Sequence, residues 1–265
     1  MIFVRYLKKQ YRKCVLDFSY RRSGNAAELQ KLKNKYLGRR CFIIGNGPSL
    51  TVQDLESLKN EVTFATNRIH NLYGKTQWRP KYYCCYDVKV IKEDIDELIG
   101  NQYEADMNFL PWKAAKISGA DSDKVSEVKG GWAKSTLFFR VRSFEEPGFS
   151  DDISKYVYKG GSITNGAIQI ACYLGFNEIY LIGVDHNFPG GFKSRDSFHA
   201  DGIKPYSFDS SKGSEMFDFF TLWYQATRQY CDKNGIKVYN ATRGGALEVF
   251  ERVDFDDLLH SLEHL

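Results

Sequence analysis

A glycine-rich turn follows the first strongly apolar run of the chain and carries residue types that bind anions. Residues 41–44 are apolar, and residues 45–49 read Gly-Asn-Gly-Pro-Ser. Gly45 and Gly47 allow close backbone approach, and Ser49 can accept a hydrogen bond from an amide at the start of the next helix. The turn therefore predicts an amide-rich phosphate or nucleotide site. An ordinary strand-to-helix turn is the alternative, because Gly-x-Gly alone is a weak signal.

Polar side chains also follow other short apolar runs. Asn67, Asp87 and Asp185 each come directly after such a run, and His186 follows Asp185. Ligands of open α/β sheets bind at the carboxyl ends of the strands, so these side chains are expected beside the turn at residues 45–49. For Asn67 the alternative is a plain turn residue that ends a strand.

A second glycine-rich stretch precedes a helix-periodic segment. Residues 160–166 read Gly-Gly-Ser-Ile-Thr-Asn-Gly. Ser162 and Thr164 are candidate caps for the first turn of that helix. The stretch predicts a second amide-rich helix N-terminus that can face an anion.

Two segments without clear periodicity are expected to cover the site. Residues 187–213 are polar and glycine-rich, and they predict a lid loop rooted at the carboxyl edge of the sheet. Residues 113–158 predict a loop-rich insertion that serves as a lid or an acceptor surface. Candidate site residues in the lid loop, and after the last predicted strand, are Arg195, His199, Tyr206 and Arg243.

The elements that must position these groups alternate between strands and helices. This order predicts an α/β fold in which a mostly parallel sheet has helices on both faces. One catalytic domain is expected over residues 39–265, preceded by a basic helical leader over residues 1–38. Predicted strands are residues 41–44, 62–66, 81–86, 109–112, 178–184 and 236–240.

Composition describes an ordinary globular protein. Of 265 residues, 43% are hydrophobic and 26% are charged, and no run is long and apolar enough to span a membrane. The six cysteines lack the paired spacing of a zinc site. We therefore expect buried thiols in a reducing cytoplasm, and no metal site.

The positive charge is concentrated at the start of the chain. Residues 1–40 hold twelve Lys or Arg against two acidic residues, a net charge of +10, so the remainder carries about −6 of the overall +4. Nucleic-acid binding is not expected, because the body is acidic. Residues 1–22 mix these charges with apolar and aromatic side chains, which predicts a basic amphipathic helix on the anionic inner face of the membrane. The alternative is a helix packed on the domain or on a partner subunit.

Together these segments identify a resemblance. The turn at residues 45–49, Asn67, the stretch at 161–166 and the strand ending in Gly183-Val184-Asp185 resemble the bacterial family 42 sialyltransferases. They also resemble the wider group that includes motility-accessory-factor glycosyltransferases and archaeal hydroxymethylpterin diphosphokinase. The resemblance covers roughly residues 40 to 250 and implies a Rossmann-like nucleotide-binding fold.

The resemblance also implies roles for individual residues. The residues that hold the nucleotide in the sialyltransferases correspond to Asn46, Gly47, Ser49 and Asn67. The stretch that contacts the donor in that family corresponds to Thr164, Asn165 and Gly166. The histidine base of the family corresponds to His199, with His186 as the competing candidate. Two family residues are replaced here, an asparagine by Asp87 and a phosphate-binding tyrosine by His186. Phosphate contacts are then expected from Arg195, Lys204, Tyr206 or Arg243.

These observations predict a glycosyltransferase. Its donor would be a nucleotide sugar, such as a CMP-linked nonulosonic acid, and its acceptor a cell-surface or lipid-linked glycan, with no cofactor and with Asp185 in a structural role. The first alternative is an ATP-dependent pyrophosphokinase in which Asp185 binds Mg²⁺. A non-catalytic nucleotide-binding protein is the second. Whether the protein forms a homo-oligomer is left open.

Overall fold

The fold is an eight-stranded parallel sheet in a computed structural model that describes residues 2–95, 98, 104–116, 135–143, 145–187 and 213–263. The strands are β1 (Arg40–Ile44), β2 (Thr63–Thr66), β3 (Tyr82–Cys84), β4 (Met107–Pro111), β5 (Thr136–Phe139), β6 (Val141–Arg142), β7 (Val157–Tyr158), β8 (Glu178–Ile182), β9 (Lys237–Asn240) and β10 (Glu251–Arg252). The helices are α1 (Ile2–Arg21), α2 (Asn25–Gln30), α3 (Val52–Ser57), α4 (Val88–Glu93), α5 (Ile163–Tyr173), α6 (Gly213–Lys233) and α7 (Phe255–Glu263), with short 3₁₀ turns at Ile69–Leu72 and Ala114–Lys116.

The strand order is β10-β9-β8-β1-β2-β3-β4-β5, and each pair in it is parallel. The chain begins at the centre, moves outward from β1 to β5, and then returns to β8 on the other side of β1. Ile44 at the end of β1 is in register with Ile182 at the end of β8. This reversal is a topological switch point, where ligands of doubly wound sheets bind. The predicted α/β fold, with a Rossmann-like parallel sheet, is confirmed.

Helices cover both faces of the sheet, as predicted. Alternate residues of β1 show why: Cys41 and Ile43 belong to one core cluster, and Phe42 and Ile44 belong to the other. The first cluster contains buried residues of α2, α5 and α6, and the second contains residues of α3, α4 and α7. A strand buried on both faces has a continuous apolar sequence, which explains the runs seen in the sequence.

The region predicted as a loop-rich insertion contributes a strand to the main sheet, so that prediction is wrong in part. Strand β5 pairs with β4, and Phe138 and Phe139 enter opposite core clusters. A four-residue run is too short for its period to identify it from sequence. Strands β6 and β7 form a separate two-stranded sheet. Residues 117–134 and 144 of this region lie outside the described residues.

The predicted leader divides into two parts. Leu29, Leu32 and Tyr36 are buried in a core cluster, and the Tyr36 ring stacks on Phe176 at 4.6 Å between centroids. Residues 25–38 therefore pack into the domain, whereas α1 lies on its surface. The boundary at residue 38 stays a prediction.

No helix among the described residues combines the length and the apolar composition that crossing a membrane requires.

Candidate functional site

Two loops meet at the switch point between β1 and β8. The Gly45 amide donates to the Ile182 carbonyl and the Gly47 amide to the Gly183 carbonyl, each at 2.8 Å. A Cβ atom at Gly45 would collide with the Gly183 carbonyl, and one at Gly47 would collide with the Asp185 carboxylate. Glycine is therefore required at both positions for the loops to make this contact.

Asp185 holds the first loop in place. The Ser49 hydroxyl donates to Asp185 Oδ2 at 2.8 Å, and the Ser49 amide also donates to this carboxylate. Burial raises the pKa of Asp185, and the two hydrogen bonds from Ser49 oppose that shift. The side chain of Ser49 is thus committed to Asp185. The prediction that Ser49 caps the next helix is wrong, because Thr51 forms a capping box with Asp54 instead.

Asn46 has a buried acceptor at the carboxyl end of β1. Its Nδ2 donates to the Thr66 carbonyl at 3.0 Å, which fixes the orientation of the amide because a carbonyl only accepts. Its Oδ1 is buried and has no hydrogen-bond partner among the described residues. Buried acceptors are normally paired, so this oxygen suits a donor group of a ligand.

Asn67 and Asp87 lie at the same sheet edge but have local roles. Asn67 has a left-handed backbone with φ of 47°, and its Oδ1 accepts from Cys85 Sγ at 3.5 Å. Asp87 caps α4 by accepting from the Lys89 amide at 2.8 Å. The structure therefore places both residues where they were expected and uses both side chains in the protein itself.

The start of α5 has a side-chain cap. Ser162 caps this helix by accepting from the Thr164 amide at 3.2 Å. Burial raises the pKa of Tyr224, and its hydrogen bonds with the side chains of Ser162 and Thr164 lower it. Sequence reasoning missed Tyr224, since it lies on the long helix α6, whose aromatic positions were all consistent with core packing.

Asn165 and Gly166, predicted as donor contacts, are packed inside the protein. Asn165 is 1% exposed, donates to the Gly160 carbonyl at 2.9 Å and accepts from Thr227 Oγ1 at 2.9 Å. A Cβ atom at Gly166 would lie 3.0 Å from the Tyr86 ring. Both residues thus hold α5 against its neighbours.

His186 is a buried, neutral histidine. Its ring packs 4.5 Å from Phe217 between centroids, and its Nε2 lies 2.9 Å from Thr221 Oγ1. The Thr221 hydroxyl donates its hydrogen to the Phe217 carbonyl, so Nε2 must be the donor to Oγ1. Burial lowers the pKa of His186 to about 4. A group with this pKa is a weak base at neutral pH.

Arg243 is held by two carboxylates. It contacts Asp54 and Asp256 at 2.6 Å each, and its guanidinium lies 5.1 Å from the centre of the Phe255 ring. Hydrogen bonds with these carboxylates raise its pKa. The structure thus joins Arg243 to α3 and α7. The other predicted phosphate and base residues, Arg195, Lys204, Tyr206 and His199, lie outside the described residues.

Within the part of the chain that the structure describes, no group of three or more His, Cys, Asp and Glu side chains could hold a metal ion.

Comparison with known proteins gives one family. Residues 20–191 match the family described as 6-hydroxymethylpterin diphosphokinase MptE-like. The chain belongs to this family. The matched region contains β1 to β8, and with them the loops after β1 and β8 and the start of α5. No curated protein matches the chain.

One solved structure has the same fold. It is the MAf glycosyltransferase from Magnetospirillum magneticum AMB-1, with 15% sequence identity and a TM-score of 0.50. The similarity covers 84% of this chain and 35% of that one, so the chain spans about a third of the length of this structural relative. The predicted resemblance to the motility-accessory-factor and diphosphokinase superfamily is confirmed.

Proposed function

We propose that this protein is a glycosyltransferase that binds the nucleotide of an activated sugar at the switch point between β1 and β8. The observation that carries the proposal is the buried Asn46 Oδ1, which has no partner in the described structure and lies at the carboxyl end of β1. An amino group of a base or a hydroxyl of a ribose would complete its hydrogen bonding. A CMP-linked nonulosonic acid is the proposed donor, and a surface or lipid-linked glycan is the proposed acceptor.

The chemistry needs a stabilised leaving phosphate. The first-turn amides of α5, beside Ser162 and Thr164, provide a positive helix end, and the Tyr224 hydroxyl is adjacent to both side chains. We assign the leaving phosphate to this helix end. Arg243, which two carboxylates hold, is a secondary candidate for it.

The acceptor hydroxyl must also lose a proton. His186 is a weak base because of its low pKa, so the proposal assigns the base to His199 in the loop of residues 187–213. That loop is also the proposed lid, which would exclude water.

The hydrogen bonds of Asp185 favour sugar transfer over pyrophosphoryl transfer. Its carboxylate accepts from the hydroxyl and the amide of Ser49, which supports a role in shaping the loop. The family description supports a second candidate, an ATP-dependent diphosphokinase. In that case Asp185 would be the residue to hold Mg²⁺, and the metal would neutralise phosphate charge.

A thermal-shift screen separates the two candidates. A ligand at 100 times its Kd adds about 2.7 kcal/mol to the stability of the folded state. We expect CMP and CTP to raise the melting temperature without added metal. A shift with ATP and Mg²⁺, together with none from cytidine nucleotides, would favour the diphosphokinase and contradict the glycosyltransferase.

Asn46→Ala tests the nucleotide site directly. Removal of the buried acceptor should weaken CMP binding about tenfold, since one hydrogen bond contributes on the order of 1.5 kcal/mol. Asn234→Ala is the matched control, because this asparagine donates to the Tyr230 carbonyl at the exposed end of α6. Equal CMP affinity in both variants, measured by calorimetry, would remove Asn46 from the site.

A further inference from the structure

An apolar stripe on α1 is exposed to solvent. Leu7, Tyr11, Val15 and Phe18 have exposed fractions of 50%, 71%, 43% and 61%. Their spacing of four, four and three residues places them along one face of the helix. Isolated apolar side chains on a surface are common, but a row of four on one helix indicates a surface that is covered in use.

The opposite side of α1 is fixed to the domain. The Tyr20 hydroxyl donates to the Ser154 carbonyl at 2.9 Å, and the Tyr20 side chain is 2% exposed. Asp17 forms ion pairs with Arg140 at 3.1 Å and Arg142 at 3.3 Å. These contacts fix the rotation of α1 about its own axis. The stripe therefore faces away from the sheet while the helix remains bound to the domain.

Basic side chains border the stripe. Lys8, Arg21 and Arg22 are exposed, and the Arg22 guanidinium lies 5.4 Å from the centre of the Phe18 ring. Apolar side chains bordered by cations complement a surface that has negative charges above a hydrocarbon layer.

We propose that the α1 stripe docks this protein on an anionic lipid bilayer. Leu7, Tyr11, Val15 and Phe18 enter the boundary between headgroups and acyl chains, and the basic side chains pair with lipid phosphates. Tyrosine and phenylalanine suit this depth, with rings that are apolar over most of their surface. The protein lies on the membrane with its sheet outside the lipid, and the docking does not depend on which group the site transfers.

Vesicle sedimentation of the full chain tests this inference. We expect binding to vesicles of phosphatidylcholine mixed with phosphatidylglycerol, little binding to phosphatidylcholine alone, and weaker binding when salt rises from about 0.1 M to about 0.5 M. Leu7→Glu and Tyr11→Glu should each weaken binding at least about tenfold. Leu222→Glu is the matched control, because Leu222 on α6 is 51% exposed and Leu7 is 50% exposed.

Other outcomes would overturn the inference. The inference is wrong if the unmodified chain does not bind the anionic vesicles. It is also wrong if Leu7→Glu and Leu222→Glu bind these vesicles equally. Light scattering after size exclusion provides the third readout. If Leu7→Glu converts a dimer into a monomer and the unmodified chain does not bind vesicles, the stripe is covered by a second copy of the chain.

Discussion

At the scale of single residues, His186 combines a left-handed backbone with a buried ring. Its φ is 48°, a conformation that costs a residue other than glycine on the order of 1 kcal/mol. The ring is 7% exposed and packs on Phe217 and Tyr224. These contacts couple the loop after β8 to α6. His186 therefore fits a positioning role between the Asp185 loop and helix α6.

The buried state of His186 predicts a pH dependence of stability. In the unfolded chain the imidazole takes up a proton near pH 6.5, but in the folded protein it does so only near pH 4. The neutral His186 therefore contributes fully to the free energy of unfolding above the unfolded pKa. This contribution is lost as the pH falls from about 6.5 to about 4. Between about pH 7.5 and about pH 5 the expected loss from this residue is about 2 kcal/mol.

Urea unfolding measures this loss when it is carried out at both pH values on the unmodified protein and on His186→Gln. The glutamine variant should lose about 2 kcal/mol less on acidification, whatever its stability at pH 7.5. Because both proteins share all other titrating groups, an equal loss in the two would show that the ring is not buried in its neutral form.

At the scale of elements, Asn165 joins α5 to both of its neighbours. Its amide connects the Gly160 carbonyl before the helix to the Thr227 hydroxyl on α6. Gln169, one turn later, uses its side-chain carbonyl to accept from the Ser150 and Tyr158 amides. The position of the N-terminus of α5 is thus set by polar side chains inside the protein, in addition to the apolar face of the helix.

Asn165→Ala is expected to lower the free energy of unfolding by about 1–3 kcal/mol, because it removes the acceptor of the buried Thr227 hydroxyl and one of the two donors to the Gly160 carbonyl, which keeps its bond from the Ser162 amide. Nucleotide affinity should change less, since Asn165 is buried behind the helix start. Thr227→Val, which removes one of the two partners, should give a smaller loss. Urea unfolding and calorimetry provide the two readouts. If Asn165→Ala has normal stability but a much lower affinity for CMP, Asn165 contacts the nucleotide as the sequence predicted.

At the scale of the whole molecule, α1 is joined to the domain at its C-terminal end. The Tyr20 ring makes an edge contact with Trp112, at 5.8 Å between centroids, and Trp112 Nε1 donates to Ser19 Oγ at 3.0 Å. Trp112 follows β4, so the helix is anchored on the β5 side of the sheet. The candidate nucleotide site lies at the β1–β8 junction, and the two surfaces are structurally separate.

Two tyrosines of α1 provide a paired test of this anchoring. Tyr20→Ala should lower the free energy of unfolding by about 3 kcal/mol, the usual cost of removing a buried aromatic ring. Tyr11→Ala, at a position that is 71% exposed, should change it by less than about 0.5 kcal/mol. Both changes remove the same atoms from the same helix, so similar effects in urea unfolding would contradict the described packing of α1.

The sequence by itself determined the parallel sheet, because each central strand is an apolar run that ends in a glycine or a polar residue. It also identified the loops that meet, at residues 45–49 and 183–185, since strand ends of a parallel sheet share one edge. It did not identify β5, because Phe138 and Phe139 are buried on opposite faces and a run of four residues has no readable period.

Only the tertiary structure decided how the site residues are used. Asp185 accepts from Ser49, 136 residues away in the chain. Asn165 accepts from Thr227, 62 residues away, and Arg243 pairs with Asp54, 189 residues away. A local pattern cannot show whether a polar side chain faces a ligand or another part of the protein, because its partner comes from a distant segment. The same reason hides the role of Tyr224, whose buried hydroxyl meets the side chains of Ser162 and Thr164 only because α6 packs beside α5.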